Sequence, residues 1–258
     1  MIKSLQNSAS ALNANQSRID VTANNIAGVN TDAYKSERPN FADLMYQKMG
    51  DAGLPVKGSG NKPRNGSGAR QVQVVRNFDQ GALRETSRET DFAINGSGFF
   101  KVTMPDGGSA YTRYGNFMLN ADRELVTEDG YKVFPEVILP EGSQEVSVNK
   151  NGKVKVKEAD GTTSDLVDIT LYKFVNPAAL KSMGGNLFIA DDQAGPEQEG
   201  IPGQDGFGEI VQKSLESSNV DLAVEMTDML ESQRAYQMNA RALRTADEMW
   251  GMANNLRK

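Results

Sequence analysis

Neither cysteine nor histidine occurs anywhere in this 258-residue chain. The two absences exclude disulfide staples, thiolate nucleophiles, the usual zinc ligand sets and every Ser-His or Cys-His catalytic arrangement. A chain without cysteine suits a reducing cytosol, and suits equally an exported protein that avoids wrong disulfides, so the compartment stays open. Basic charge is also short: 28 Lys and Arg stand against 34 Asp and Glu, a net charge of -6 with a pI near 4.9. That is the opposite of a nucleic-acid binder's footprint. No run approaches the roughly 18 apolar residues of a membrane span. The opening "MIKSLQNSASALNANQ" has no continuous apolar stretch of the kind a secretory signal peptide needs. No membrane insertion and no cleaved signal are therefore expected. Aromatic residues are only 7% and mean hydropathy is -0.52, which allows a modest core beneath a polar surface.

What the chain does have is periodicity at its two ends. Ile2, Leu5, Ala9, Leu12, Gln16, Ile19, Ala23 and Ile26 recur at alternating three- and four-residue steps, the seam of a coiled coil. Gly28 is placed to end that helix as its left-handed residue, and Ser4 or a neighbour to start it. About 24 residues of helix would span about 36 Å. At the other end Leu222, Met229, Tyr236, Leu243 and Trp250 recur every seven residues, and a second stripe runs through Val224, Ala235, Met238, Ala242, Met249, Met252 and Leu256. Ser218 and Asn219 are candidate caps, with Asp221 and Glu225 near the positive end of the helix dipole. That helix would run about 54 Å.

The bland reading of the two segments is an intramolecular hairpin. Two features argue for more. The second helix is apolar on two faces, more than one slender partner covers. The first carries alanine, serine and asparagine where a self-sufficient hairpin would use leucine, and small side chains suit close approach in a crowded assembly. The expected packing set is Leu5, Leu12, Ile19 and Ile26 against Leu222, Met229, Tyr236, Leu243 and Trp250, with Met238, Ala242 and Met249 turned to neighbouring chains.

Between the ends the period changes to two. "VQVVRNF" (72–78), "DFAING" (91–96), "GFFKVTM" (98–104), "ELVT" (124–127), "EVSVN" (145–149), "KVKVK" (153–157), "VDITLYKFV" (167–175) and "NLFIA" (186–190) read as strands. Asp106-Gly107, Asp129-Gly130, Asn151-Gly152 and Asp160-Gly161 punctuate them with hairpin dipeptides. The expected class is α+β: long terminal helices paired as a coiled coil around a central antiparallel β-domain. The expected spans are 1–35 for the first helical segment, 36–71 for an extended connector, 72–209 for the β-domain and 210–258 for the second helical segment. Gly, Pro, Ser and Lys dominate 50–68, which reads as flexible or extended.

Catalytic and cofactor signals are weak. "INGSGFF" (94–100) has Gly96 and Gly98 at GxG spacing, but Lys101 stands where the dinucleotide fingerprint needs its third glycine, so a tight turn is expected. Asp191, Asp192, Glu197 and Glu199 cluster in a Gly/Pro-rich turn, where carboxylates are usually just solvated. No enzyme activity, cofactor or metal is expected.

Three stretches carry a family resemblance. "IDVTANNIAGVNTDAYK" (19–35) resembles the opening motif of bacterial flagellar rod and hook subunits, with Asn24, Asn25, Asn30, Thr31 and Lys35 on the motif positions. "DFAINGSGFFKV" (91–102) and "YTRYGNFMLNADRELVTEDGYKV" (111–133) resemble that family's β-domain. "SLESSNVDLAVEMTDMLESQRAYQMNARALRTADEM" (214–249) resembles its C-terminal motif, with Ser218, Asn219, Val220 and Asp221 in place. Ala33 and Tyr34 depart from the usual Gly-Phe. The length and the connector are most similar to distal-rod members. A proximal-rod or hook-type subunit is the alternative inside the family, and a self-contained coiled-coil adaptor the alternative outside it. The resemblance implies a structural role: a helical homopolymer forming a hollow shaft, in contact with other rod subunits, hook protein and possible ring or bushing components. It also implies a basal-body location outside the cytoplasm, reached by type III export.

Overall fold

The computed structural model describes residues 2–44, 47–48, 64–140, 143–158 and 163–255. The middle of the expected connector (49–63), the Asp160-Gly161 turn and Leu256 of the second apolar stripe lie outside the described residues. The class is α+β, with a helix at each end and antiparallel strands between. Two compact units divide the chain, one drawn from 1–27, 37–76 and 221–258, the other from 28–36 and 77–220. The chain therefore passes between units four times.

The first unit holds both long helices. Helix α1, Ile2–Ala27, has 26 residues and helix α2, Leu222–Asn255, has 34, about 39 and 51 Å of rise. The bond of Asn25 to Glu225 and the ion pair of Arg18 with Asp228 run in opposite chain directions, so the helices are antiparallel. An antiparallel strand pair, Glu37–Asp43 with Ala69–Arg76, lies against α1 as well. It takes up the two ends of the span expected to be an extended connector, and one register irregularity leaves Val72 bulged and 54% exposed. Because α1 is covered by both neighbours, it is half-buried along two adjacent stripes. One runs through Leu5, Ser8, Leu12, Asn15, Ile19, Thr22 and Ile26, the other through Asn7, Ala11, Ala14, Arg18, Val21 and Asn25. Ala9, Gln16 and Ala23, which the simple heptad placed on the seam, face water. Asparagine-rich α1 has weak intrinsic propensity, so its helicity rests on these contacts.

The second unit is a β-structure. Its largest sheet is antiparallel with seven strands in the order Lys181–Gly184, Leu187–Ile189, Ser109–Thr112, Phe100–Thr103, Lys132–Phe134, Leu125–Val126 and Met118–Leu119. A three-stranded sheet (Ser143–Val148, Val154–Glu158, Thr163–Asp165) and short pairs complete it. Every strand stretch read from the sequence contains a strand, although "VDITLYKFV" keeps only Leu171–Lys173. Gly107, Gly130 and Gly152 turn with φ near +80°, as their Asp-Gly and Asn-Gly contexts require. Phe92, Ile94, Phe100, Phe117, Leu171 and Ile210 form one fully buried core. A second is aromatic, where Phe99 meets Phe78, Phe174 and Phe188 edge-on at 5.4–6.2 Å.

Two expectations about helix ends are corrected. Helix α1 does stop at Ala27, but Gly28 is not left-handed; it begins a single 3-10 turn, Gly28–Asn30. Glycine is needed there for space, because a Cβ would stand 2.6 Å from the Tyr34 ring. The left-handed residue is Ala33, buried with φ of +59°. An L-residue with a Cβ pays about 1–2 kcal/mol for that conformation. Ala33→Gly is therefore expected to raise the stability of the β-unit by about 0.5–1 kcal/mol, read as a higher denaturant midpoint at unchanged slope.

The cap of α2 is Asp221, not Ser218 or Asn219. Its Oδ1 accepts from the Ala223 N–H at 2.9 Å and the Val224 N–H at 3.3 Å. Ser218 Oγ instead accepts from the Val220 N–H, and Asn219 bonds elsewhere. Asp221→Ala should cost the helical unit about 1 kcal/mol by the loss of this cap, measurable as earlier fraying of α2 in a helix-melting curve.

Candidate functional site

The motif residues of the two chain ends sort into one fastening in each unit. In the helical unit the fastener is Asn25, which is 1% exposed. Its Nδ2 donates to the Glu37 carbonyl at 2.8 Å and to Glu225 Oε1 at 3.1 Å, and its Oδ1 accepts from the Glu37 N–H at 2.9 Å. One amide thus ties the end of α1 to the first strand residue and to the first turn of α2. Aspartate in this place would lose both donated bonds, and alanine all three. Glu37 itself is paired with Arg76 across the strand pair. Asn24 is exposed.

In the β-unit the fastening is a buried charge cluster with an amide brace. Lys35, 2% exposed, reaches Glu216 Oε1 and the Asp79 carbonyl, both at 2.7 Å. Arg113 Nε donates to Glu216 Oε2 at 2.8 Å, and the Gly81 N–H donates to Oε1 at 2.8 Å. The rest of the Arg113 fork is held by the carbonyls of Gly98 at 3.1 Å, Gly96 at 2.9 Å and Ile94 at 3.4 Å. The "INGSG" turn is thus a carbonyl-lined seat for a guanidinium, opposite in polarity to a phosphate cradle. Burial and the neighbouring Arg113 hold the Lys35 ammonium below the usual lysine range, with Glu216 opposing them. Burial pushes the Glu216 carboxyl up, but Arg113 and Lys35 outweigh it and hold it below the usual carboxylate range.

Asn219 completes the arrangement. Its Oδ1 accepts from the Ser36 N–H at 2.8 Å, and its Nδ2 donates to the Asn77 and Asp79 carbonyls at 3.0 Å. The Asn77 N–H in turn donates to the Ser36 carbonyl at 2.8 Å. Residues 36, 77 and 219, each at or next to a passage of the chain, are held together by this one side chain. Asp32 adds an ion pair in which Arg84 Nη2 donates to both carboxylate oxygens at 3.1 Å, and its carbonyl accepts from Asn186. Asn30 and Thr31 are exposed on the turn, while Ser218 and Val220 are half-buried beside Asn219.

The apolar packing candidates are split. Leu5, Leu12, Ile19, Ile26, Met229 and Leu243 are half-buried; Leu222, Tyr236, Met238, Ala242, Met249 and Trp250 are exposed. On α2 the covered stripe is Met229, Ser232, Ala235, Asn239, Leu243 and Ala246, more polar than the seven-residue series suggested. Ser232 is buried on this stripe, and its hydroxyl is satisfied by donating back to the Asp228 carbonyl at 2.7 Å. Sequence reading missed Glu216, Arg113 and Asp79. The first two lie inside the motif stretches, as single charges in otherwise apolar or small-residue surroundings, and that oddity was the one signal that could have found them.

No acid–base pair is assembled by the carboxylates around 191–199. Asp191 pairs with Lys181 at 2.9 Å, Glu197 is held by Lys101 at 3.1 Å and by the Tyr111 hydroxyl, and Glu199 sits on a strand paired with Leu171–Lys173. Among the described residues no group of three Asp or Glu side chains is placed to hold a metal ion. No described helix is long and apolar enough to cross a membrane.

Two terminal helices, the second with exposed apolar side chains, joined to a β-unit that holds the buried Lys35, Arg113 and Glu216 cluster, are the architecture of a structural subunit. Comparison with known proteins gives the family. Residues 5–35 match the family described as flagella basal body rod protein, 93–156 the flagellar hook protein FlgE/F/G D1 domain, and 211–256 the flagellar basal body rod FlgEFG protein C-terminal. Proteins named flagellar basal-body rod protein FlgG are similar over the full chain. The one from Borreliella burgdorferi is 40% identical with 100% of both chains covered, and that from Caulobacter vibrioides 36% identical over 99% of this chain and 100% of its own. The flagellar hook-basal body complex protein FlhP of Bacillus subtilis is 32% identical, again over 100% of both. The chain belongs to the flagellar basal-body rod protein family. It is a structural subunit of the flagellar rod and not an enzyme.

Proposed function

We propose that the chain polymerises helically with copies of itself into the distal rod, the hollow shaft that carries torque from motor to hook. The observation that carries this reading is the outer face of α2. Leu222, Val224, Met226, Leu230, Met238, Met249 and Met252 are 42–64% exposed, a broad apolar strip interleaved with the exposed Arg234, Arg241 and Glu248 along most of a helix about 51 Å long. A lone soluble subunit gains nothing from such a strip; a subunit surrounded by copies buries it. In the polymer α1 and α2 pair as a coiled coil, Leu5, Leu12, Ile19 and Ile26 forming the inner contact with Met229 and Leu243. Tyr236, Ala242, Met238, Met249 and Trp250 then meet neighbouring copies. Other rod subunits and hook protein adjoin the shaft at its ends, with ring or bushing components around it. The subunit reaches this place outside the cytoplasm by type III export, without a cleaved signal. Nucleic acid and membrane are not partners.

The test is a concentration series of the purified chain examined by electron microscopy. Tubular polymers above a threshold concentration are expected; a chain that stays monomeric at every concentration reached would sink the reading. The 32% likeness to a protein named for the hook-basal body complex favours keeping a second placement within the family, as a proximal-rod or hook-type subunit. A deletion strain separates the distal from the proximal rod. Loss of the distal rod with the proximal rod intact supports the distal placement, and loss of both supports the proximal one.

A further inference from the structure

The chain has 11 methionines and no cysteine, so its only oxidisable sulfur is thioether sulfur. Those thioethers are not spread evenly. Five are on α2, and four of the five are open to solvent: Met226 at 53%, Met238 at 64%, Met249 at 48% and Met252 at 60%. The fifth, Met229, is half-buried on the stripe toward α1. At about 100° per residue, Met238, Met249 and Met252 fall within about 60° of one another, roughly 110° round the helix from the covered stripe. Met226 lies about 80° further round. Met104 in the β-unit is half-buried, and only Met118 and Met183 there reach comparable exposure, at 39% and 57%.

We propose that Met226, Met238, Met249 and Met252 are a modification site for two-electron oxidants of the peroxide class, and that their sulfoxidation blocks polymerisation. The inference rests on the reading that a second copy of this chain covers the outer face of α2. In the reaction the methionine Sδ lone pair attacks one peroxide oxygen. An S–O bond forms as the O–O bond breaks, and the departing hydroxide takes the remaining proton to leave as water. Sulfur is oxidised by two electrons and the peroxide is reduced. The product is a polar sulfoxide on a helix face built from flexible apolar side chains. Covering it takes a strong acceptor out of water at a contact shaped for an apolar thioether. The helix itself is undisturbed, because these positions contact solvent in the single chain. Oxidation before assembly is therefore the damaging event, and a polymer already formed hides the four thioethers.

The experiment compares the wild-type chain with the quadruple variant M226L/M238L/M249L/M252L, each with and without hydrogen peroxide. Peptide mass spectrometry locates sulfoxides, and polymer yield is followed against concentration. The expected result is an increase of about tenfold or more in the polymerisation threshold of wild type on peroxide treatment, no change on treatment in the variant's own threshold, whatever its untreated value, and slower oxidation of the four positions in preformed polymer. Treated wild type that carries all four sulfoxides and polymerises normally overturns the proposal and leaves the rod assignment standing. A treated variant blocked as strongly as wild type overturns it too, since the damage then lies outside these four methionines. Failure of the untreated chain and the untreated variant to polymerise removes the rod-polymer reading, and this inference with it.

Discussion

Glu216→Gln is expected to cost the β-unit about 3–5 kcal/mol, a large share of the roughly 5–15 kcal/mol that holds an ordinary domain folded. The carboxylate is the only anion between two buried cations, Lys35 and Arg113, whose side chains are 0% and 4% exposed. The glutamine is nearly isosteric, so no cavity confuses the result. What it removes is charge, leaving an ammonium and a guanidinium facing each other out of water. Lys35→Met should cost less, because Glu216 then keeps Arg113 and the Gly81 N–H. The double variant should cost less than the sum of the two, which is the signature of a direct pair. Denaturant unfolding of the purified chain, followed by near-ultraviolet circular dichroism of the tyrosines, reads all three. A Glu216→Gln variant within about 0.5 kcal/mol of wild type would mean that the cluster carries no net stability.

The same cluster sets a pH dependence whose sign follows from the two shifts. Glu216 is held below its ordinary value of 4.5 in the folded chain. The unfolded chain therefore binds the proton first as pH falls. The stability contributed by Glu216 is full above about 4.5 and is lost as pH drops through the lowered folded value. Lys35 is also lowered, from 10.5, so in alkali the unfolded chain again holds the proton more tightly. Folding is thus favoured as pH rises toward 10.5 as far as Lys35 alone is concerned. Wild type should lose stability between about pH 5 and pH 3. In Glu216→Gln that loss should be shallower, a comparison that denaturant midpoints across the range make directly.

How much of this was legible in the sequence depends on the range of the interaction. The strand stretches and hairpin glycines are local, and period-two patterning with Asp-Gly and Asn-Gly punctuation located them. The helices are also local in pattern, and their extent was readable from the seven-residue recurrence. The faces were not, because which side of α1 is covered depends on a strand pair that brings Glu37–Asp43 to Ala69–Arg76. Nothing in residues 2–26 announces that partner. The fastenings are the least local of all: Lys35 meets Glu216 across 181 positions, and Asn25 meets Glu225 across 200. A charge inside an apolar motif signals that a partner exists, but does not say which residue it is. Capping failed for a smaller reason. Ser218, Asn219 and Asp221 are all competent caps, and only the competing bonds of Asn219 to Ser36, Asn77 and Asp79 leave the duty to Asp221.

Met238→Glu combined with Leu230→Glu is expected to abolish polymerisation at concentrations where wild type assembles fully, while leaving the single chain folded. Met238 is 64% and Leu230 is 55% exposed, and exposed substitutions away from specific contacts change folding stability by about 0.5 kcal/mol or less. In the polymer each carboxylate would be taken out of water, and Arg234 and Arg241, one turn away on the same helix, would offset only part of a cost that stays at roughly 2 kcal/mol apiece. Two such costs raise the threshold by a factor on the order of a thousand. Met229→Glu is the contrasting variant. It lies on the half-buried stripe of α2, so it should lower helix content already in the single chain. Circular dichroism and sedimentation separate the cases: the double variant keeps wild-type helicity and sediments as a monomer, whereas the seam variant loses helicity first. If the double variant polymerises as wild type does, the outer face of α2 is not where copies meet, and the exposed strip needs another occupant. If it loses helicity, that face already packs within the single chain.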